Sequence, residues 1–156
     1  MSIIEVANES QRCRFPIPGY PDFIVEVEYL DPRKIKSLAK AATKPKFNED
    51  TRSYEDEVDN EVLAKLMTVN MVKGWTGLDV ETLKDFVNLS EASEQKIKSE
   101  MDGIVPFSEA DLHMLVDNTP TRLFIDPVTK VALDLKRIRE LKEESMLGNS
   151  DASQPT

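Results

Sequence analysis

Few residues in this chain could do acid–base or nucleophilic chemistry. His113 is the one histidine and Cys13 the one cysteine among 156 residues. A lone imidazole excludes His-His metal motifs such as H-E-x-x-H, and a serine or cysteine triad would have to use His113. A lone thiol makes no internal disulfide and no multi-cysteine metal site. His113 follows Leu112 and lies off the apolar stripe of its segment, the position of a solvated helix residue with no partner for catalysis in view. Cys13 alternates with Phe15 and Ile17, as a small buried hydrophobe on a strand face would; the other reading is a reactive thiol. The five glycines (Gly19, Gly74, Gly77, Gly103 and Gly148) do not cluster. No phosphate-cradling G-x-G-x-x-G or G-x-x-x-x-G-K-[ST] loop is present, nor a G-x-S-x-G elbow. The expectation is a protein that is not an enzyme, with no catalytic, cofactor or metal site.

Charge narrows the partners. Twenty basic residues against twenty-nine acidic give −9, which disfavours broad binding to a phosphate backbone. From Asn48 to Glu61, seven acids stand against one base, Arg52, a net −6. This stretch lacks the D-x-[DN]-x-[DN]-G spacing of a calcium loop. It reads as a solvated helix start or as a surface for a basic partner. A DNA-mimicking decoy would spread its carboxylates in rows, whereas here they are concentrated in one segment. At 40 % apolar and 31 % charged residues, the chain suits a folded domain rather than wholesale disorder. No apolar run approaches a membrane span, and the start Met1-Ser2-Ile3-Ile4-Glu5-Val6 lacks a secretory basic region. A soluble protein inside the cell is expected.

Contact residues are easier to nominate than catalytic ones. Met67 and Met71 are four apart, neighbours on a helix face. They fill the core or form an adaptable contact surface. Trp75, the one tryptophan, lies between Gly74 and Gly77. It reads as a core anchor for a tight connection, with a partner hot spot as the alternative.

The elements that position these residues follow from periodicity. Arg12–Ile17 and Phe23–Tyr29 alternate, with Pro18-Gly19-Tyr20-Pro21 as a turn, so an antiparallel hairpin is expected, with Ile3–Val6 as a third strand. Asp31-Pro32 starts a helix with Ile35, Leu38, Ala39 and Ala42 on one stripe, ending near Pro45. Ser53, with Asp56 three residues on, opens a second helix with the stripe Val58, Val62, Leu66, Val69 and Val72, stopped by Lys73-Gly74. Asp79 caps a third helix, Leu89–Gly103 is partly irregular, and Ser108 caps a fourth. Asp126-Pro127 starts the last, with Val128, Val131, Leu135, Ile138 and Leu141. The sum is an α+β, mainly α fold: a small N-terminal antiparallel hairpin or sheet on about five helices. One domain spans 1–147, and 148–156 forms a disordered tail.

Several pieces in this order resemble the tail assembly chaperones of long-tailed (siphovirus-type) bacteriophages and prophages. They are Val25-Glu26-Val27-Glu28-Tyr29-Leu30-Asp31-Pro32, Lys46-Phe47-Asn48, Met71-Val72-Lys73-Gly74-Trp75-Thr76-Gly77-Leu78 with Val80-Glu81-Thr82-Leu83, and Ile104-Val105-Pro106-Phe107-Ser108-Glu109. The resemblance covers roughly Phe23 to Asp117 and weakens on either side. It implies a non-enzymatic protein of the host bacterial cytoplasm, absent from the mature virion. Such a protein binds the tape measure protein and keeps it soluble until the tail tube polymerises. Further partners expected are the tail tube protein and a second copy of the chain, and neither nucleic acid nor membrane is expected from the charge and hydropathy above. Met67, Met71, Trp75, Leu78 and Phe107 are the expected partner-binding residues. The alternative is a structural tail-completion or head-tail connector protein of the virion.

Overall fold

Alternating side chains build the first two strands, β1 (Arg12–Ile17) and β2 (Tyr20–Glu28). Cys13, Phe15 and Ile17 on one strand and Phe23, Val25 and Val27 on the other are all buried. The strands pair antiparallel, Cys13 opposite Val27 and Phe15 opposite Val25. On the outer face Arg12 lies 3.5 Å from Glu26 and 3.4 Å from Glu28. The computed structural model describes residues 2–7 and 9–153, with side chains as far as residue 146.

The third strand is not Ile3–Val6, whose side chains are exposed and unpaired with the sheet. It is β5 (Val72–Thr76), which pairs antiparallel with β2 and gives the sheet order β1-β2-β5. Trp75 therefore sits within a strand, opposite Val25, and Lys73-Gly74 does not end a helix but lies inside that strand.

Asp31 caps α1 (Pro32–Ala41), its carboxylate accepting from the N–H groups of Arg33 and Lys34. The helix stops at Ala41, and Pro45 lies inside the next strand. The acidic segment does not open a helix at Ser53. β3 (Thr43–Asn48) and β4 (Ser53–Val58) form a second, two-stranded antiparallel sheet. Its turn holds Asp50 N–H on the Asn48 side chain at 2.9 Å and Arg52 in the left-handed region at φ 53°. Lysines on β3 stand opposite glutamates on β4, Lys44 facing Glu57 and Lys46 facing Glu55, an arrangement that favours the hairpin. The following helix, α2 (Asn60–Met71), is capped by Asp59 instead of Ser53, six residues later than expected, with Asp59 accepting from Glu61 and Val62 N–H. Its buried side chains are Met67, Thr68 and Met71, whereas Val58 and Val62 of the expected stripe are exposed.

Asp79 caps α3 (Val80–Phe86) and Ser108 caps α5 (Glu109–Asn118), both as expected. Between them the polar stretch forms a helix, α4 (Glu91–Glu100), capped by Ser90 and buried only at Ile97. The expected last helix is two: α6 (Ile125–Ala132) and α7 (Leu135–Ser153). The chain breaks at Leu133–Asp134, and Asp134 accepts from Arg137 N–H at 3.1 Å as a cap for α7. The start at Asp126-Pro127 is shifted, because α6 begins at Ile125 with Phe124 before it and no side-chain cap. α7 carries helical backbone through Ser153, within the stretch 148–156, and residues 154–156 lie outside the described residues.

Seven helices and five strands are thus present among the described residues, an α+β, mainly α fold with an N-terminal antiparallel sheet. β1 packs against α7 and β2 against α6, so the apolar face of the sheet is roofed by the C-terminal helices. At Gly77, φ is +74° and an added Cβ would run into the Asp22 carbonyl at the start of β2. Gly77→Ala is expected to destabilise the fold by about 2–5 kcal/mol, from backbone strain plus overpacking. Urea denaturation should show a lower midpoint with an unchanged slope.

Candidate functional site

Trp75 leaves β5 pointing into the body, 5 % exposed. Its indole N–H donates to the Val105 carbonyl at 3.1 Å, and Val105 N–H donates to the Leu78 carbonyl at 2.8 Å. Val80 N–H bonds the Gly103 carbonyl at 2.9 Å, and Asp79 bridges Ile104 in antiparallel sense. The Phe107 and Trp75 rings meet in a T-shaped arrangement with centroids 4.8 Å apart at 84°, a favourable aromatic geometry. The two segments singled out in the sequence, Gly74–Leu78 and Ile104–Glu109, are therefore stitched together across about thirty residues of chain.

Above this stitch lies a groove of about 600 Å³ between α3, α4 and α5. Trp75, Leu78, Leu83, Ile97 and Val105 are among its apolar lining. Met101 after α4 and Met114 on α5 also line it and are 37 % and 61 % exposed. Asn88, Ser90, Ser93, Lys96, Asp111 and Asn118 add a polar margin. α3 and α4 are tied at one end by Lys84 and Glu94, 3.1 Å apart, and Lys98 reaches the same carboxylate at 3.0 Å. Hydrogen bonds from Lys98 and Lys84 hold the Glu94 carboxyl below its usual range, and the Glu94 bond raises Lys84.

The five nominated contact residues divide. Trp75 and Leu78 line the groove, and half-buried Phe107 buttresses Trp75. Met67 and Met71 do not line it; Met71 has no exposed surface and Met67 very little, and both pack within the core. Met101 and Met114 are methionines in the groove that sequence reading missed. Met101 fell in a stretch read as irregular, and Met114 is off the stripe of Leu112, Leu115 and Val116. Placing both on one groove requires the α4–α5 arrangement, which no local pattern encodes.

His113 is exposed on α5, and no hydrogen bond to its imidazole is found among the described residues. Among those residues no group of three or more His, Cys, Asp or Glu is arranged to hold a metal ion. No described helix is long and apolar enough to cross a membrane. Comparison with protein-family models, curated proteins and solved structures finds no match.

Burial pushes the Cys13 thiol up to about 11 from 9.0, opposed by the nearby positive charge of Arg137. The folded-state value is raised, so its contribution to stability is whole below pH 9 and is lost as the pH rises through 11. Stability should fall across that window, less so in Cys13→Val. A thiol reagent at pH 8 should label Cys13 only after denaturant is added; fast labelling of the native chain would contradict the burial.

Trp75→Phe keeps the ring edge but removes the bond to Val105, at an expected cost of about 1–3 kcal/mol. Trp75→Ala should cost about 3–5 kcal/mol. Native tryptophan emission should lie to the blue of free indole and shift red on unfolding.

Proposed function

We propose that this chain is a tail assembly chaperone of the long-tailed bacteriophage and prophage type. It binds the tape measure protein and keeps it soluble in the host bacterial cytoplasm until tail tube subunits polymerise around it, and it leaves before the virion is complete. The reading assigns it no catalytic step. One observation carries it: the segments that bear the resemblance are joined beneath an apolar groove open to solvent. An amphipathic helix binds by laying its apolar face into such a groove. Exposed methionines at Met101 and Met114 suit a client whose sequence changes along its length, since their side chains repack readily. Each contact is weak enough to be released when tube subunits arrive, and repetition along a long client supplies the avidity.

The test is co-expression of the tape measure protein in bacteria with and without this chain. The chain should raise the soluble client severalfold and co-purify with it. Met101→Asp with Met114→Asp should abolish both effects while leaving the melting temperature nearly unchanged, because both positions are exposed. An unchanged client and no complex, with this chain present in purified virions, would replace the proposal with the structural tail-completion or connector reading.

A further inference from the structure

Sulfur is unevenly placed in this fold. Among the described side chains, Cys13, Met67 and Met71 are buried, Met71 with no exposed surface. Met101, Met114 and Met146 are 37 %, 61 % and 63 % exposed. Met101 and Met114 line the groove, and Met146 lies on α7 outside that lining. The other oxidisable groups near the core are shielded. The Trp75 indole is buried and bonded to the Val105 carbonyl. The Cys13 thiol is buried, and desolvation raises it to about 11, so it stays protonated at neutral pH. The thiolate is the form that reacts readily with oxidants. Two of the open sulfurs therefore belong to one apolar site, while those of the core are closed off.

We propose that Met101 and Met114 form an oxidation site for hydrogen peroxide, and that their conversion to sulfoxides closes the groove to apolar helices. The inference rests on the reading of the groove as a helix-binding site. In the step, a thioether lone pair attacks one peroxide oxygen, and the S–O bond forms as the O–O bond breaks. Sulfur loses two electrons and the peroxide is reduced. The displaced hydroxide takes the proton left on the transferred oxygen and departs as water. Such attack needs solvent access at sulfur, which the exposed Met101 and Met114 offer and the buried Met67 and Met71 do not. The product carries a polar S=O group where a flexible apolar side chain stood. A helix laid over the groove would cover that oxygen with an apolar face that supplies no donor, and a buried acceptor left unpaired is costly. The free chain bears no such cost, because both side chains remain open to water. Oxidation here acts on binding and spares folding. Oxidation of Met71 would do the reverse, by placing a polar group in the core, and its burial protects it.

For the test, the full-length chain is treated with hydrogen peroxide at neutral pH and each methionine is read by peptide mass. Met101, Met114 and Met146 should gain one oxygen atom well before Met67 and Met71. The binding probe is a synthetic amphipathic helix with leucine at i, i+3, i+4 and i+7, titrated by calorimetry. Oxidation should weaken its binding by about tenfold or more, with unchanged circular dichroism. Methionine sulfoxide reductases supplied with a dithiol should restore it, the oxygen leaving as water and the dithiol becoming a disulfide. Met101→Leu with Met114→Leu keeps the groove apolar, so that variant should bind the helix equally before and after peroxide. Met146→Leu should stay as sensitive as the parent chain. Equal loss of binding in the Met101→Leu, Met114→Leu variant would overturn the proposal, as would full binding by a chain oxidised at both Met101 and Met114. Oxidation of Met67 and Met71 as fast as the groove pair would overturn the selectivity. A helix that fails to bind even the untreated chain would tell against the groove reading itself, and the switch would fall with it.

Discussion

The ring of Phe23 touches Trp75 at 6.1 Å, Phe86 at 5.7 Å and Phe124 at 6.2 Å between centroids. Those partners come from β5, the end of α3 and the residue that opens α6. Phe23 itself lies on the central strand and is 1 % exposed. One side chain thus fixes the sheet to helices on either side of the groove-forming segment. Aromatic rings bury large areas and prefer offset or edge-on partners, so a junction of this kind restricts both distance and orientation. Gly77 belongs to the same constraint. Only a residue without Cβ lets the chain after β5 pass close to Asp22, one residue before Phe23. The groove lining at Trp75 and Leu78 inherits its position from that crossing.

Where local pattern and fold agreed, a cap or a strict alternation was present. Cys13, Phe15 and Ile17, and Phe23, Val25 and Val27, alternate without interruption, and Asp31, Asp79 and Ser108 all cap the helices that follow them. β5 was illegible because its period is broken. The register shifts between Glu26 and Val27, so Val72 and Trp75, three apart, are both buried. That spacing continues the apparent helical stripe of α2 through Val69 into Val72. β4 was illegible for the opposite reason: every one of its side chains is exposed, and glutamate and aspartate are poor strand formers. Its pairing comes from lysines on the other strand, Lys44 opposite Glu57 and Lys46 opposite Glu55. α4 buries one residue, Ile97, and a helix with so small an apolar face leaves no periodic trace.

The groove was half legible. Trp75 and Leu78 could be nominated because a single tryptophan between glycines is unusual in any chain. Met67 and Met71 could not be separated from the core by sequence, since methionine serves packing and contact equally well. The fold decides between these roles through the face that α2 turns inward. The methionines open to solvent are instead Met101 and Met114, brought to one groove by helices whose contact is not local.

Net charge sets the last condition on any assembly. At −9, two copies repel each other at distances beyond the Debye length only weakly, but more strongly as they approach. A stable contact between copies must therefore place opposite charges together locally. Four cations and no acid lie on α1, and on the hairpin that follows Glu49, Asp50, Glu55 and Asp56 make no ion pair among the described residues. Neither charge cluster belongs to the core anchored at Phe23, so folding and surface charge can be altered separately.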